Sequence, residues 1–460
     1  MVHARSARRL PFKPDLPLVL TIAAIVLLWV AGGASRADAM GQVVVRAGCW
    51  VILAIGILAG PRPALNGARP VILLLAAIIA LPLAQLIPLP PAWWQALPGR
   101  DILLVPGEPV PWRPWTMTPG TTRNALASLV VPTTMLLLLL QANERVHRWM
   151  PAALLTMITA AVLLGLLQFS GAGFNSPLLN DTPGLVSSIF ANRNHFALLL
   201  AIGCLIAPIW AFMDRGSLNW RGPLAGGLIL LFVLTILATG SRSGMLLGAL
   251  ALALVFALVG KRLRRRLAGA PRWLFPALVG AAVLVVGGFV AMSFAADRAD
   301  AINRLIAMEG REDMRSRALP TVLSMIGHYM PFGSGFGGFD PVFRIHEPLD
   351  LLKPTYFNQA HNDFLGIALD GGVAGIVVLA AGMLWWLVAT IAVWRARPND
   401  GVFLGRLGSS IILLVFVASV MDYPARTPTI MALLVVAAVW LAQANVRKAD
   451  TALPSSLPNL

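Results

Sequence analysis

From Leu16 to Ala444 the chain is a series of apolar runs, most near the length that crosses a bilayer, separated by short polar breaks. A helix needs roughly 20 apolar residues to span the hydrocarbon core, and it is the one single-segment structure that satisfies its own backbone there. The runs fall at Leu16–Ala34, Val43–Gly60, Val71–Ile87, Ala125–Leu140, Met150–Phe169 and His195–Met213. They continue at Leu224–Thr239, Met245–Gly260, Trp273–Phe294, Val373–Trp394, Gly405–Met421 and Thr429–Ala442. With 58% hydrophobic and 12% charged residues, an ordinary soluble domain is excluded.

Charge then assigns the two sides. Numbered from the basic N-terminus, the segments on the starting side hold 21 of the 36 Lys/Arg and 5 of the 20 Asp/Glu; the opposite side holds 15 of each. The whole net charge of +16 therefore lies on one face, the positive-inside asymmetry of bacterial inner membranes. The pattern predicts an all-α polytopic membrane protein with about 12 transmembrane helices and both termini cytoplasmic. A large periplasmic loop containing helices sits between two late spans. The expected division is residues 1–294 as N-terminal transmembrane helices, 295–361 as the loop, 362–444 as C-terminal transmembrane helices and 445–460 as a cytoplasmic tail.

Several other function classes drop out. The basic run Lys261–Arg266 lies in a cytoplasmic loop, where anionic membrane lipids are the simpler partner than nucleic acid. Cys49 and Cys204, the only cysteines, lie in separate apolar runs, which leaves no disulfide framework or cysteine metal site. Arg5, Arg8, Arg9 and Lys13 before an apolar run, with Ala37-Asp38-Ala39 after it, resemble a secretory signal. The run is 19 residues long, beyond the roughly 7–15 of a signal, so a retained first helix is expected.

The outer face holds four of the six histidines and three long segments. Pro88 to Arg123 is rich in proline and tryptophan and reads as lying at headgroup level. Asn175 to His195 ends in Phe190-Ala191-Asn192-Arg193-Asn194-His195. Ala295 to His361 opens on the charge-dense stretch Asp297–Arg317, expected to be helical, and contains the glycine-rich Gly333–Phe339. Gly333-Ser334-Gly335-Phe336-Gly337-Gly338 fits GxGxxG, but no parallel-sheet unit surrounds it. A loop that approaches a sugar or a membrane surface is the better account.

His361-Asn362-Asp363 closes the large loop just before a span, and Gly372 and Gly375 follow. An imidazole at a membrane boundary can accept a proton or orient a hydroxyl, with Asn362 and Asp363 placed to fix its ring. A hydrogen-bonded interfacial histidine fits the spacing equally. The glycines suggest a kink or close helix packing. Thr239-Gly240-Ser241-Arg242-Ser243-Gly244 is a tight outer turn between two spans. The Arg242 fork suits a phosphate or pyrophosphate; snorkelling to the interface is the bland alternative, though it needs neither Ser241 nor Ser243. Arg193 begins another outer helix, where, on these residues alone, capping by Asn192 or Asn194 explains the motif better than an anion site. Arg311, Arg315 and Arg317 lie among Glu309, Glu312 and Asp313, where a self-paired solvated helix is the more common outcome. No acidic or histidine spacing indicates a metal, and no cofactor is expected.

At these residues the chain resembles the O-antigen ligase family, which includes O-antigen and exopolysaccharide polymerase-like members. His361-Asn362, nine residues, then Gly372-x-x-Gly375 is similar to the family's signature, and Gly240–Gly244 resembles its arginine turn. Pro88–Pro91, Phe190–His195, Gly333–Phe339 and Asp422-Tyr423-Pro424-Ala425-Arg426 are similar to segments of its exopolysaccharide-type members. The resemblance implies a metal-independent, inverting glycosyltransferase that moves a glycan from undecaprenyl diphosphate to a sugar hydroxyl on the periplasmic face. By it, Arg242 and one of Arg311, Arg315 and Arg317 bind the diphosphate, Arg193 adds to that site, and His361 serves the acceptor. The implied partners are the undecaprenyl-diphosphate-linked glycan, a glycan or lipid A-core acceptor, and a chain-length regulator. Competing readings are a polysaccharide-precursor transporter or flippase, which would carry ionisable residues deep in its spans, and a non-catalytic assembly partner.

Overall fold

The computed structural model describes residues 15–171, 176–179, 185–213, 218–266, 311–352, 357–397 and 399–452, with scattered positions between 271 and 291. The helices are α1 (Leu16–Ala31), α2 (Met40–Ala59), α3 (Arg69–Gln85), α4 (Pro91–Gln95), α5 (Pro119–Ser128), α6 (Val130–Gln141), α7 (Glu144–Phe169), α8 (Arg193–Phe212), α9 (Leu218–Ala238) and α10 (Arg242–Arg266). After the large loop begins come α11 (Arg311–Tyr329), α12 (Phe339–His346), α13 (Asp363–Arg395), α14 (Asp400–Met421) and α15 (Pro428–Ala452). Among the described residues nine helical segments are long and apolar enough to cross a membrane. Leu16–Ala31 and Pro428–Ala444 are apolar but shorter, and the expected span Trp273–Phe294 lies largely outside the described residues. This is an all-α, multi-pass architecture; its only sheet among those residues is the two-stranded pairing of Pro88–Leu89 with Arg113–Pro114.

α8 is the axis of the bundle. Its sequence is apolar on every side, the signature of a helix enclosed by others rather than facing lipid on one stripe. Nearly every residue from His195 to Ile209 is buried, and α7, α9, α10 and α14 pack around it. Gly203 permits that closeness, because a Cβ there would stand 2.8 Å from the Phe232 ring and 3.1 Å from Ile158. α14 runs antiparallel to α8, so the end of α14 meets the start of α8. The polar residues heading α8 are thereby carried to the centre of one end of the molecule.

The large loop has its own apolar core of Met314, Val322, Met325, Tyr329, Phe339, Phe343, Leu351 and Phe357, closed by Leu369 of α13. It is fastened where α13 breaks. Gly372 has φ 57° and ψ −147°, which interrupts the helical ladder and frees backbone groups. The glycine-rich segment takes them up. Ser334 N donates to Leu369 O at 2.9 Å, Gly335 N to Asp370 O at 3.0 Å, and Val373 N to Pro331 O at 2.9 Å. Gln85 Nε2 also donates to Asp370 O at 2.9 Å, while its Oε1 accepts Phe336 N. Arg100, fully buried, donates to the carbonyls of Pro98, Trp115 and Gly333 and ties the proline-tryptophan segment to the same loop.

Two sequence expectations change here. Gly333, Gly335 and Gly337 all have positive φ, and their missing side chains admit Asp370, Thr116 and Thr121 rather than a sugar or a membrane. The glycines serve internal docking. The helix expected over Asp297–Arg317 is described only from Arg311 onward, and its earlier residues lie outside the described residues.

Gly372→Ala should be strongly destabilising, by about 2–4 kcal/mol, because a Cβ there is both strained and driven into the Pro331 carbonyl. Gly382→Ala lies in the same helix, where the nearest atom to a new Cβ is Leu74 Cδ2 at 3.8 Å, and should be neutral or slightly stabilising. Thermal unfolding of the two purified variants checks this; equal melting temperatures would refute the account of the kink.

Candidate functional site

Three helix ends and one buried carboxylate make the site. α8 begins at Arg193 behind the N-cap Asn192, whose side chain accepts Asn194 N at 2.9 Å. α10 begins at Arg242 after a turn in which Gly240 has φ +60°, and Ser241 Oγ caps it by accepting Gly244 N at 2.9 Å. α13 begins at Asp363 behind Asn362, whose Oδ1 accepts Leu365 N at 3.0 Å. Each start is a polar residue before an apolar run, so each helix carries unsatisfied backbone N–H groups at its head. The α8 and α10 starts are adjacent: the Arg193 guanidinium lies 3.6 Å from where a Gly240 Cβ would be.

Asp422, at the end of α14, is 2% exposed and joins these ends. Its Oδ2 accepts Asn192 Nδ2 at 2.8 Å and Asn194 Nδ2 at 2.7 Å. Its Oδ1 accepts Tyr423 N at 3.0 Å and stands 3.1 Å from His361 Nδ1. Arg315 of α11 reaches within 3.8 Å of Oδ2 and donates to Met421 O at 3.0 Å. Burial by itself would raise the Asp422 carboxyl; the His361 bond, with His195 and Arg315 nearby, holds it well below the usual carboxylate range. Burial pushes His361 the other way, below its ordinary value, against the upward pull of its Asp422 bond and charge; Arg315 adds to the lowering. The pair is therefore an ionised carboxylate holding a neutral imidazole, with the ring proton on Nδ1 and the lone pair on Nε2.

The ring is held on its faces as well. Phe357 and Tyr423 stand 5.2 Å and 5.0 Å from it, centroid to centroid. His361 itself has φ +49°, a left-handed conformation that costs a non-glycine residue about 1–3 kcal/mol and persists only where its surroundings enforce it. His195, fully enclosed, packs edge-on against the same Tyr423 at 5.4 Å and pairs through Nδ1 with Thr427 Oγ1 at 3.0 Å.

The residues singled out in the sequence divide as follows. His361 and Arg315 reach Asp422 directly; Ser241 reaches it through Asn194, with its Oγ 2.7 Å from Asn194 Oδ1 and 3.2 Å from Ser243 Oγ, and Arg193 lies beside Gly240. Arg242 follows Ser241 at the head of α10. Asn362 and Asp363 do not fix the imidazole. Asn362 caps α13 and donates to Val420 O, and Asp363 accepts Ser419 Oγ and Ala425 N beside Arg426. Asn362 instead holds α13 to the last turn of α14, and Asp363 holds it to both α14 and the 422–426 turn. Arg317 pairs with Asp350 at 3.0 Å on the exposed side of α11, away from Asp422. Arg311 is the first residue of α11, and its side chain lies outside the described residues. Among the described residues no group of three or more His, Cys, Asp or Glu could hold a metal ion.

Sequence reasoning missed the role of Asp422. Its signal was present: an acid directly after the apolar run Gly405–Met421, in a turn too short to solvate it. The pairing with His361 spans 61 positions and is not visible in spacing.

Comparison with known families places these elements. The O-antigen ligase family model matches residues 227–380, about a third of the chain. The match runs from within α9 through the large loop to the middle of α13, and so includes Arg242, Arg315, His361, Gly372 and Gly375. It leaves out Asn192, Asn194 and Asp422. No curated protein sequence matches the chain. The match bears out the family resemblance: over residues 227–380 this multi-pass membrane protein is similar to the O-antigen ligase domain, which supports a membrane glycan-processing role.

Proposed function

We propose that the protein transfers a glycan from undecaprenyl diphosphate to a sugar hydroxyl at the periplasmic face of the inner membrane, with inversion and without a metal. The observation that carries this reading is the His361–Asp422 hydrogen bond, set beside two helix starts that each begin with arginine. The acceptor hydroxyl gives its proton to His361 Nε2 as its oxygen bonds to the anomeric carbon. The bond from that carbon to the diphosphate breaks on the opposite face, and undecaprenyl diphosphate leaves with the electron pair. Asp422 stabilises the imidazolium that forms.

A lipid diphosphate is already a good leaving group, so the main requirements are charge stabilisation and alignment. Arg242 and Arg193, at the heads of α10 and α8, combine fixed positive charge with the N-terminal ends of two helix dipoles. Arg315 is the loop arginine we assign to the diphosphate, since Arg317 is committed to Asp350. Asn362, Asp363, Ser241 and Ser243 act as supports. The large loop covers the site, and the spans flank a prenyl tail. The acceptor is either the end of a second lipid-linked chain or lipid A core. Growth by whole repeats on a defined lipid-linked oligosaccharide would identify a polymerase, and transfer only to lipid A core a ligase.

His361→Ala and Arg242→Ala should each lower transfer by purified protein at least about 100-fold while the variants insert and melt normally. Wild-type product from both would favour a transporter or assembly partner. Asp422→Asn should lower kcat about 10²–10⁴-fold, because an amide cannot stabilise the imidazolium and can turn a donor toward Nδ1. Neutral His361 is the active form and burial lowers its pKa. Accordingly kcat/KM should rise with pH with its midpoint below about 6.5, the ordinary histidine value. A limb well above 6.5 would contradict the assignment of His361 as base. Treatment with EDTA should leave the rate unchanged; loss restored by Mg²⁺ or Mn²⁺ would overturn the metal-free mechanism.

A further inference from the structure

Asn194 has more bonds than its position in the helix requires. Capping of α8 is already done by Asn192, whose Oδ1 accepts Asn194 N. The Asn194 carboxamide is therefore released from capping, yet both its ends are engaged. Its Nδ2 donates to Asp422 Oδ2 at 2.7 Å, and its Oδ1 accepts Ser241 Oγ at 2.7 Å. The amide can sit only one way round, because Asp422 is an acceptor and Ser241 Oγ, already accepting Gly244 N, has its proton to give. The result is a continuous line from His361 Nδ1 through Asp422, Asn194 and Ser241 to the first turn of α10, where Arg242 sits.

We propose that Asn194 is a positioning residue that couples the anion-binding end of α10 to the His361–Asp422 pair. This rests on the reading that His361 is the base and that the diphosphate binds at α10. The physical basis is that each donor to a carboxylate weakens its pull on the remaining donors. Asp422 is faced by Asn192, Asn194 and His195 from α8, by Arg315 from α11, by Tyr423 N from its own turn and by His361. Of the groups that hydrogen-bond it, Asn194 is the one that leads on to α10. An anion that tightens the first turn of α10 around Ser241 thereby alters how firmly Asn194 holds Asp422. The base is then set when the donor is in place.

The test uses the full-length protein with a defined lipid-linked oligosaccharide. Asn194→Ala removes one donor from Asp422, leaves the carboxylate a stronger acceptor for His361 Nδ1–H, and so raises the imidazole's pKa. The ascending limb of the pH profile should move to higher pH by about half a unit, kcat should fall about 10-fold, and the donor KM should change less than about 3-fold. Ser241→Ala should move the limb in the same direction, and the double variant should add nothing further, as members of one line do. A limb left in place by Asn194→Ala, whatever the rate, overturns the coupling, as do additive effects of the two substitutions. If Asn194→Ala fails to fold, Ser241→Ala alone decides, because it leaves every direct donor to Asp422 present. Full activity of His361→Ala would instead sink the underlying reaction, which separates the two failures.

Discussion

A carboxylate sealed from water at the end of a membrane helix is stable only if its charge and its lone pairs are met by the protein. Asp422 meets that condition with donors from three directions: two asparagines at the head of α8, the backbone of its own turn, and His361 ahead of α13, with Arg315 of the large loop nearby. These residues come from four separate parts of the chain. Removing the carboxylate would leave all of them without their common partner. The helix ends, the loop and the imidazole therefore hold one another in place through a single group.

The kink in α13 is the second constraint, and it works on the backbone. A straight helix from Asp363 to Arg395 would leave the large loop nothing to hold. By breaking at Gly372 it offers carbonyls and an N–H group that the segment from Pro331 to Gly335 completes. Arg426 reinforces the first half of α13 from the other side, lying 3.7 Å from Asp363 and 3.4 Å from Asp370. The turn from Asp422 to Arg426 thus grips the imidazole at one end and the helix that presents it at the other. Loop, kink and turn form one support for His361, and its left-handed backbone is held rather than relaxed.

Chemical function follows from the unequal environments of neighbouring groups. Asp422 is kept ionised by its donors, while His361, partly buried, is kept neutral. An ionised carboxylate beside an imidazole that is neutral at rest is an arrangement poised to receive one proton. In the proposed reaction, the arginines at the α8 and α10 heads would meet the charge of the departing diphosphate. This division of labour suits a reaction whose leaving group is already activated.

Apolar run length is a local property, so the multi-pass helical character and the helix positions could be read from residue order alone. The glycines at 372 and 375 were legible as a kink or close packing for the same reason. What the sequence left open depends on contacts between distant segments. That Asp422 rather than Asn362 or Asp363 orients the imidazole, that Arg315 and not Arg317 turns inward, and that the glycine-rich loop binds a broken helix rather than a ligand were decided only by packing. Hydrogen-bond partners across 61 or 230 positions have no periodicity to betray them; they exist because burying α8 at the centre of the bundle forces its polar head against whatever ends there.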